Sequence, residues 1–217
     1  MKVGSGFQIL AAMARDANNN MFPLAFGVVG KEEAATWCWF LTQLRYALGG
    51  GTGKHGPFTI MSDRQKGLLN AVNQVFPECE QRFCLRHIYA NFQLAGFRGD
   101  DLKKLVDAAA YAYNYNVHIN AMDMIKSLNL DAWTWLNKIP TKHWARHAMD
   151  TTCKTDLVVN NISEVFNSYI LDERDKPIVT MMDQIRTKLM AKFAVARDGV
   201  AIARWEITPQ YVEKLET

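Results

Sequence analysis

The chain has 217 residues, 49% of them apolar and 22% charged, which fits an ordinary soluble globular protein of one large domain or two small ones. Four cysteines (Cys38, Cys79, Cys84 and Cys153) are too few and too scattered for a disulfide scaffold and favour a reducing compartment. No apolar run reaches the roughly 18–20 residues of a membrane span, residues 1–10 lack the apolar core of a secretory signal, and the net charge of +3 permits nucleic-acid binding without arguing for it.

In chain order, residues 7–14 are an apolar run that predicts a strand. The Asp16-Ala17-Asn18-Asn19-Asn20 stretch predicts a turn, because Asn and Asp tolerate left-handed backbone and bond their own amides. Residues 22–29 are a second apolar run, giving a hairpin with Pro23 near its start or on an edge. A helix is expected over 32–48, with Trp37, Phe40, Leu41, Leu44 and Leu48 as its buried stripe. The glycine-rich loop 49–56 lacks the spacing of a phosphate-binding P-loop and reads as a linker. Residues 58–61 form a short buried strand that stops at Asp63, followed by a helix over 65–76 with an apolar face at Leu68, Leu69, Val72, Val75 and Phe76. Another short strand is expected over 81–85, a helix over 88–97, and three more over 100–116, 119–128 and 131–136. A turn of helix is expected at 143–149. Helices from Asn160 and from Pro177 follow, then a mixed tail over 199–217. The order predicts an α/β fold with a mixed sheet, interrupted by an all-helical block at roughly 90–150.

Three constellations can carry chemistry. Asp63 stands at the carboxyl end of a buried strand, where open α/β sheets place their ligands; it also reads as a helix cap. Glu164 lies in the first turn of a later helix, where acids are common. The two are 101 residues apart and can meet only if the helical block folds out as an insertion. With a third carboxylate they would supply the hard oxygen ligands of Mg²⁺ or Mn²⁺. Cys84-x-x-His87 offers half of a structural zinc site, and the plainer reading is a buried Cys beside a hydrogen-bonded His. His143 and His147 have no partner pattern. Between Tyr111 and Trp144, the aromatics Tyr113, Tyr115, Trp133 and Trp135 are interleaved with Lys138, Lys142, His143, Arg146 and His147. They read either as a basic aromatic surface for DNA or as a helical core; Trp133 and Leu136 are expected in the core.

Several linked motifs resemble plant Mutator-like element (MULE) transposases: Arg15-Asp16-Ala17-Asn18-Asn19, Phe22-Pro23-Leu24-Ala25-Phe26, Trp39-Phe40-Leu41, Ser62-Asp63-Arg64-Gln65-Lys66-Gly67-Leu68, Arg82-Phe83-Cys84-Leu85-Arg86-His87, Asn160-Asn161-Ile162-Ser163-Glu164-Val165-Phe166-Asn167 and Asp175-Lys176-Pro177-Ile178. The resemblance implies an RNase H-like mixed sheet over 1–89, a helical insertion over 90–155, core helices carrying Glu164 over 156–198 and a tail over 199–217. It makes Asp63 and Glu164 the second and third acids of an Asp-Asp-Glu triad that binds Mg²⁺ or Mn²⁺. Cys84 and His87 become the family's C-x-x-H motif, with zinc not expected in this stretch. Arg64, Lys66, Arg86, Lys142 and Arg146 become candidate DNA contacts.

The family's first Asp belongs to a strand one element upstream of the Arg15-Asp16 turn, and no acid precedes Asp16. The first strand of the sheet is therefore expected to be largely missing, which would leave a vacant lane between 7–14 and 58–62 and a marginally folded chain. Ile207-Thr208-Pro209 resembles the lead-in to the family's zinc finger. The expected function is a truncated transposase core, descended from a metal-dependent DNA-cleaving and strand-joining enzyme and inactive without the first Asp. The alternative is a domesticated DNA-binding or regulatory module. The implied partners are DNA and a full-length transposase or a second copy of the chain, with no membrane, and the implied compartment is the nucleus.

Overall fold

The computed structural model describes residues 6–16, 18–50, 58–153, 155, 157–203 and 205–216. Contacts divide the chain into two compact units, Glu33–Asn160 and the pair of segments Met1–Glu32 and Asn161–Thr217. The described strands form two small sheets of two strands each, so the mixed α/β expectation takes the form of small sheets among many helices. Residues 1–5, expected to be too short to stand in for the missing first strand, and the linker residues 51–57 lie outside the described residues.

In the segmented unit, strands β1 (Gln8–Arg15) and β2 (Met21–Val29) pair antiparallel. The Asp16 turn joins them as its composition predicts. The Asp16 carboxylate accepts from the amides of Asn18 and Asn20, both at 2.8 Å, and Asn19 takes the left-handed backbone at φ 59°. The pairing shifts register at Ala12/Met13, opposite Pro23. Proline has no N–H for the ladder, and a bulge is where a strand accommodates it. Helix α7 (Ile162–Tyr169) and helix α8 (Ile178–Ile202) close over the hairpin, burying Ile9, Met21, Phe166, Ile170, Met181 and Ile185 in one core. Pro177 caps α8 from outside, and the tail expected to be mixed is helical, with α8 reaching Ile202 and α9 spanning Pro209–Glu216.

In the other unit, helix α1 (Ala34–Ala47) buries Trp37, Phe40, Leu41 and Leu44 as its spacing predicts. Strand β3 (Thr59–Ser62), helix α2 (Lys66–Val75) and strand β4 (Glu80–Phe83) form a parallel β-α-β unit. A Cβ on Gly67 would stand 2.9 Å from the backbone nitrogen of Ala34, so glycine lets the first turn of α2 meet the start of α1.

Helices α3 (Leu85–Leu94), α4 (Asp100–Tyr111), α5 (Tyr115–Leu128) and α6 (Leu130–Asn137) follow. Two short 3₁₀ turns, Thr141–His143 and Arg146–Ala148, stand where one turn of helix was expected. The helix expected to run to 116 stops at Tyr111, because Asn114 caps the next one by accepting from the Asn116 amide at 2.7 Å. Ile88, Phe92, Val106, Ile125, Leu136 and Trp144 share a core that is continuous with Phe83 at the end of β4.

One buried ion pair ties β4 to the segment that returns from the helices. Arg82 is fully buried. Its Nε donates to Glu80 Oε2 at 2.9 Å, and its two terminal nitrogens donate to the carbonyls of Thr155 at 2.7 Å and Asp150 at 2.9 Å. Glu80 in turn accepts from the Thr59 hydroxyl on β3 and from the Asp150 amide. Removing one partner of such a pair leaves the other charge uncompensated, which costs about 3–5 kcal/mol. Arg82→Ala is therefore expected to lower stability by about that amount, read from urea unfolding followed by tryptophan fluorescence. A loss well under 1 kcal/mol would show that water or a neighbouring cation replaces the guanidinium.

Candidate functional site

The parallel register of β3 and β4 pairs Ser62 with Phe83, so Asp63 and Cys84 leave the sheet side by side at its carboxyl end. The Cys84 amide extends the ladder by donating to Ser62 O at 3.0 Å. Asp63 is half-buried. One of its carboxylate oxygens, Oδ1, accepts from the Gln65 amide at 3.1 Å, and the Ser62 hydroxyl donates to its carbonyl at 2.9 Å. Asp63 is not the cap of α2. Gln65 is, with its side-chain oxygen accepting from the Leu68 amide. The capping alternative is thus excluded, and Asp63 keeps a carboxylate oxygen for other work at a strand end.

Cys84 and His87 part company. Cys84 is 1% exposed. Its Sγ accepts from the Asn160 amide at 3.2 Å, and the next amide, of Leu85, donates to Val158 O at 2.8 Å. His87, in the first turn of α3, is exposed. The expectation of a buried thiol packed beside a bonded imidazole therefore holds for the thiol and fails for the imidazole, because a helix that starts at Leu85 turns its third residue outward. Among the described residues no group of three His, Cys, Asp or Glu side chains is placed to hold a metal ion, and no helix is long and apolar enough to cross a membrane.

The basic candidates also separate. Arg64 is half-buried, its guanidinium 5.8 Å from the ring centres of both Phe83 and Trp135, while Lys66, Arg86 and Lys142 are exposed. Arg146 lies between the rings of Tyr111 and Tyr113, at 4.7 and 4.9 Å. Glu164 is half-buried in the first turn of α7, in the other unit.

Sequence reasoning passed over His118, which is 4% exposed and donates from Nδ1 to Ala109 O at 2.8 Å. The acceptor is a carbonyl, so the proton sits on Nδ1. The His147 ring lies 4.4 Å from it. A signal was present, since His118 falls one helical turn from Tyr115 and Met122, but a lone His on an apolar face is usually core. His143, considered earlier for a metal, instead stacks on Phe83 at 4.6 Å with Nδ1 2.6 Å from Gln81 O.

Residues 2–91 match the family model of the MULE transposase domain. No curated protein matches the chain. A transposase-domain segment therefore runs from the β1–β2 hairpin through Asp63 and the C-x-x-H motif into α3. That segment is similar to MULE-family sequence, and the match ends before Glu164.

Two outcomes follow from this geometry. In the native chain a thiol reagent is expected to label half-buried Cys38 and to spare Cys84, which reacts only on unfolding; rapid native labelling of Cys84 would mean that the Asn160 strap opens. Burial, and secondarily the His118 ring, hold the His147 imidazole below its ordinary value. Folding thus favours the neutral ring, and the stability this contributes is intact above the usual imidazole range and lost as pH falls through the lowered value. The urea midpoint should therefore drop on going from about pH 7 to about pH 5, and drop less in His147→Phe. Equal drops in the two proteins would put the acid sensitivity elsewhere.

Proposed function

We propose that the chain is the catalytic core of a MULE-type transposase whose ancestral chemistry is metal-dependent cleavage and joining of DNA. The observation that carries this reading is Asp63, which stands at the carboxyl end of β3 beside the C-x-x-H motif, inside the family match. In this reading β1–β2 and β3–α2–β4 are parts of an RNase H-like sheet, and Glu164 supplies a second carboxylate. The donors fit Mg²⁺ or Mn²⁺ in type, being carboxylate oxygens, and fall short in number. Such an ion would polarise a phosphate or activate the attacking oxygen. Asp63 and Glu164 would hold it, and the exposed Lys66, Arg86 and Lys142 would meet the DNA backbone. With two acids of three in the 217 residues, the chain on its own is inactive. The reading also places it in the nucleus, beside a full-length transposase or a second copy.

The test uses labelled DNA with Mg²⁺ or Mn²⁺. No cleavage is expected from the 217-residue chain. A version preceded by an apolar strand carrying Asp-Gly should cut, and lose the activity in Asp63→Asn and in Glu164→Gln. Cleavage that survives both substitutions would overturn the assignment. DNA binding should be weak, indifferent to sequence and steeply salt-dependent, because it rests on phosphate contacts. Site-selective binding at physiological salt would favour the regulatory alternative.

A further inference from the structure

The helical part of the Glu33–Asn160 unit contains a half-open cavity of about 210 Å³, whose walls include Tyr115, His118, Ile119, Trp133, Trp144 and His147. An apolar cavity of roughly 150 Å³ is enough for benzene, so this one has room for a single aromatic ring system with substituents. Five flat rings stand among its aliphatic and polar walls, and they carry unspent polar capacity. His118 commits its Nδ1 proton to Ala109 O, which leaves Nε2 as a hydrogen-bond acceptor. His147 Nδ1 is buried and has no partner among the described residues. A buried polar atom left unpaired is costly, so a ligand that supplied its partner would recover that cost.

The charges decide between ligand classes. Lys126 Nζ already sits 4.8 Å over the Trp133 ring, which disfavours a cationic guest. Asp123, exposed at the cavity wall, disfavours an anionic group on that side. Residues 138–147 along another side carry Lys138, Lys142 and Arg146 and no carboxylate. A neutral planar heterocycle with a mixed donor and acceptor edge, attached to an anionic chain that leaves over the basic side, satisfies all three conditions.

The geometry points to a binding site for one unpaired nucleobase in this cavity, edge-bonded to His118 and His147 and walled by the neighbouring tryptophans. As a site for a base within a DNA strand it rests on the DNA-directed reading above; as a site for a free base it does not. Stacking on aromatic side chains contributes about 1–3 kcal/mol per base, equivalent to roughly 5-fold to 150-fold in affinity.

The experiment follows tryptophan fluorescence of the full chain on adding a short single-stranded oligonucleotide, an abasic strand of the same length, and free nucleosides. The base-bearing strand should bind at least about five-fold tighter than the abasic one and quench, and nucleosides should quench at millimolar concentration. His147→Phe, which keeps the ring and removes its nitrogens, and Ile119→Trp, which fills the cavity, should each abolish the preference while circular dichroism shows the native helix content. Equal binding of abasic and base-bearing strands would overturn the site. A base preference that survives both substitutions would also overturn it, moving recognition to the exposed Tyr113. Quenching by nucleosides with no binding of any strand would sustain the cavity and defeat the DNA reading instead. No response to nucleosides or strands would defeat the cavity.

Discussion

Arg82 is the constraint on which the larger unit depends. A guanidinium with no exposure to water must spend its donors within the protein. Here they go to Glu80 on its own strand and to the carbonyls of Thr155 and Asp150. Glu80 passes the constraint back to β3 through Thr59. The result is a knot of charge-assisted bonds that holds together the two parallel strands and a segment some seventy residues away in sequence. Because that segment is pinned, the Val158 carbonyl and the Asn160 amide arrive at the first turn of α3. The thiol of Cys84 is thereby sealed, and the end of β4 is fixed next to Asp63. The candidate carboxylate is positioned by bonds in which its own side chain takes no part.

The two units are built on different principles. The hairpin unit relies on one sheet face: β1 and β2 present Ile9 and Met21 to α7 and α8, and the polar Asp16 turn is settled by its own hydrogen bonds. Burial pulls the Asp16 carboxyl upward, but the Asn20 side chain, the Asn20 and Asn18 amides and the nearby Lys192 together hold it below its usual range. The helical unit relies on aromatic and imidazole contacts among short elements. Phe92 packs against Phe97 and Trp135, and His118 against Trp144. Short helices contribute little stability of their own, so their permanence comes from this shared core.

Periodicity was a good guide wherever one face of an element is buried. The stripe Trp37, Phe40, Leu41 and Leu44, the hairpin and its Asx turn, and the helices on either side of Asn129 were all legible. The misses share a cause. Helix limits at Tyr111 and Ile202 were set by capping and by chain context that apolar spacing does not record. The place of Asp63 beside Cys84 was legible only in part: the strand end was visible, but the parallel pairing that sets the two next to each other is a long-range fact. The role of Gln65 as cap was hidden because Asp63 and Ser62 are stronger cap formers. His118 and Arg82 were silent for the same reason. A polar residue inside an apolar pattern does not announce whether its partners exist, and here they lie on the Ala109 carbonyl and on a loop seventy residues on.

Gly67 has a consequence for the history of such a chain. A methyl group there meets the backbone of Ala34, whereas a methyl group on Gly30 meets nothing within 4 Å. The same amino acid is obligatory at one position and incidental at the other. Copies of this gene still held to a folded product should therefore vary at position 30 and not at position 67. Copies drifting as genomic debris should vary equally at both. The ratio of change at two glycines thus turns a steric contact into a record of whether the protein is still being used.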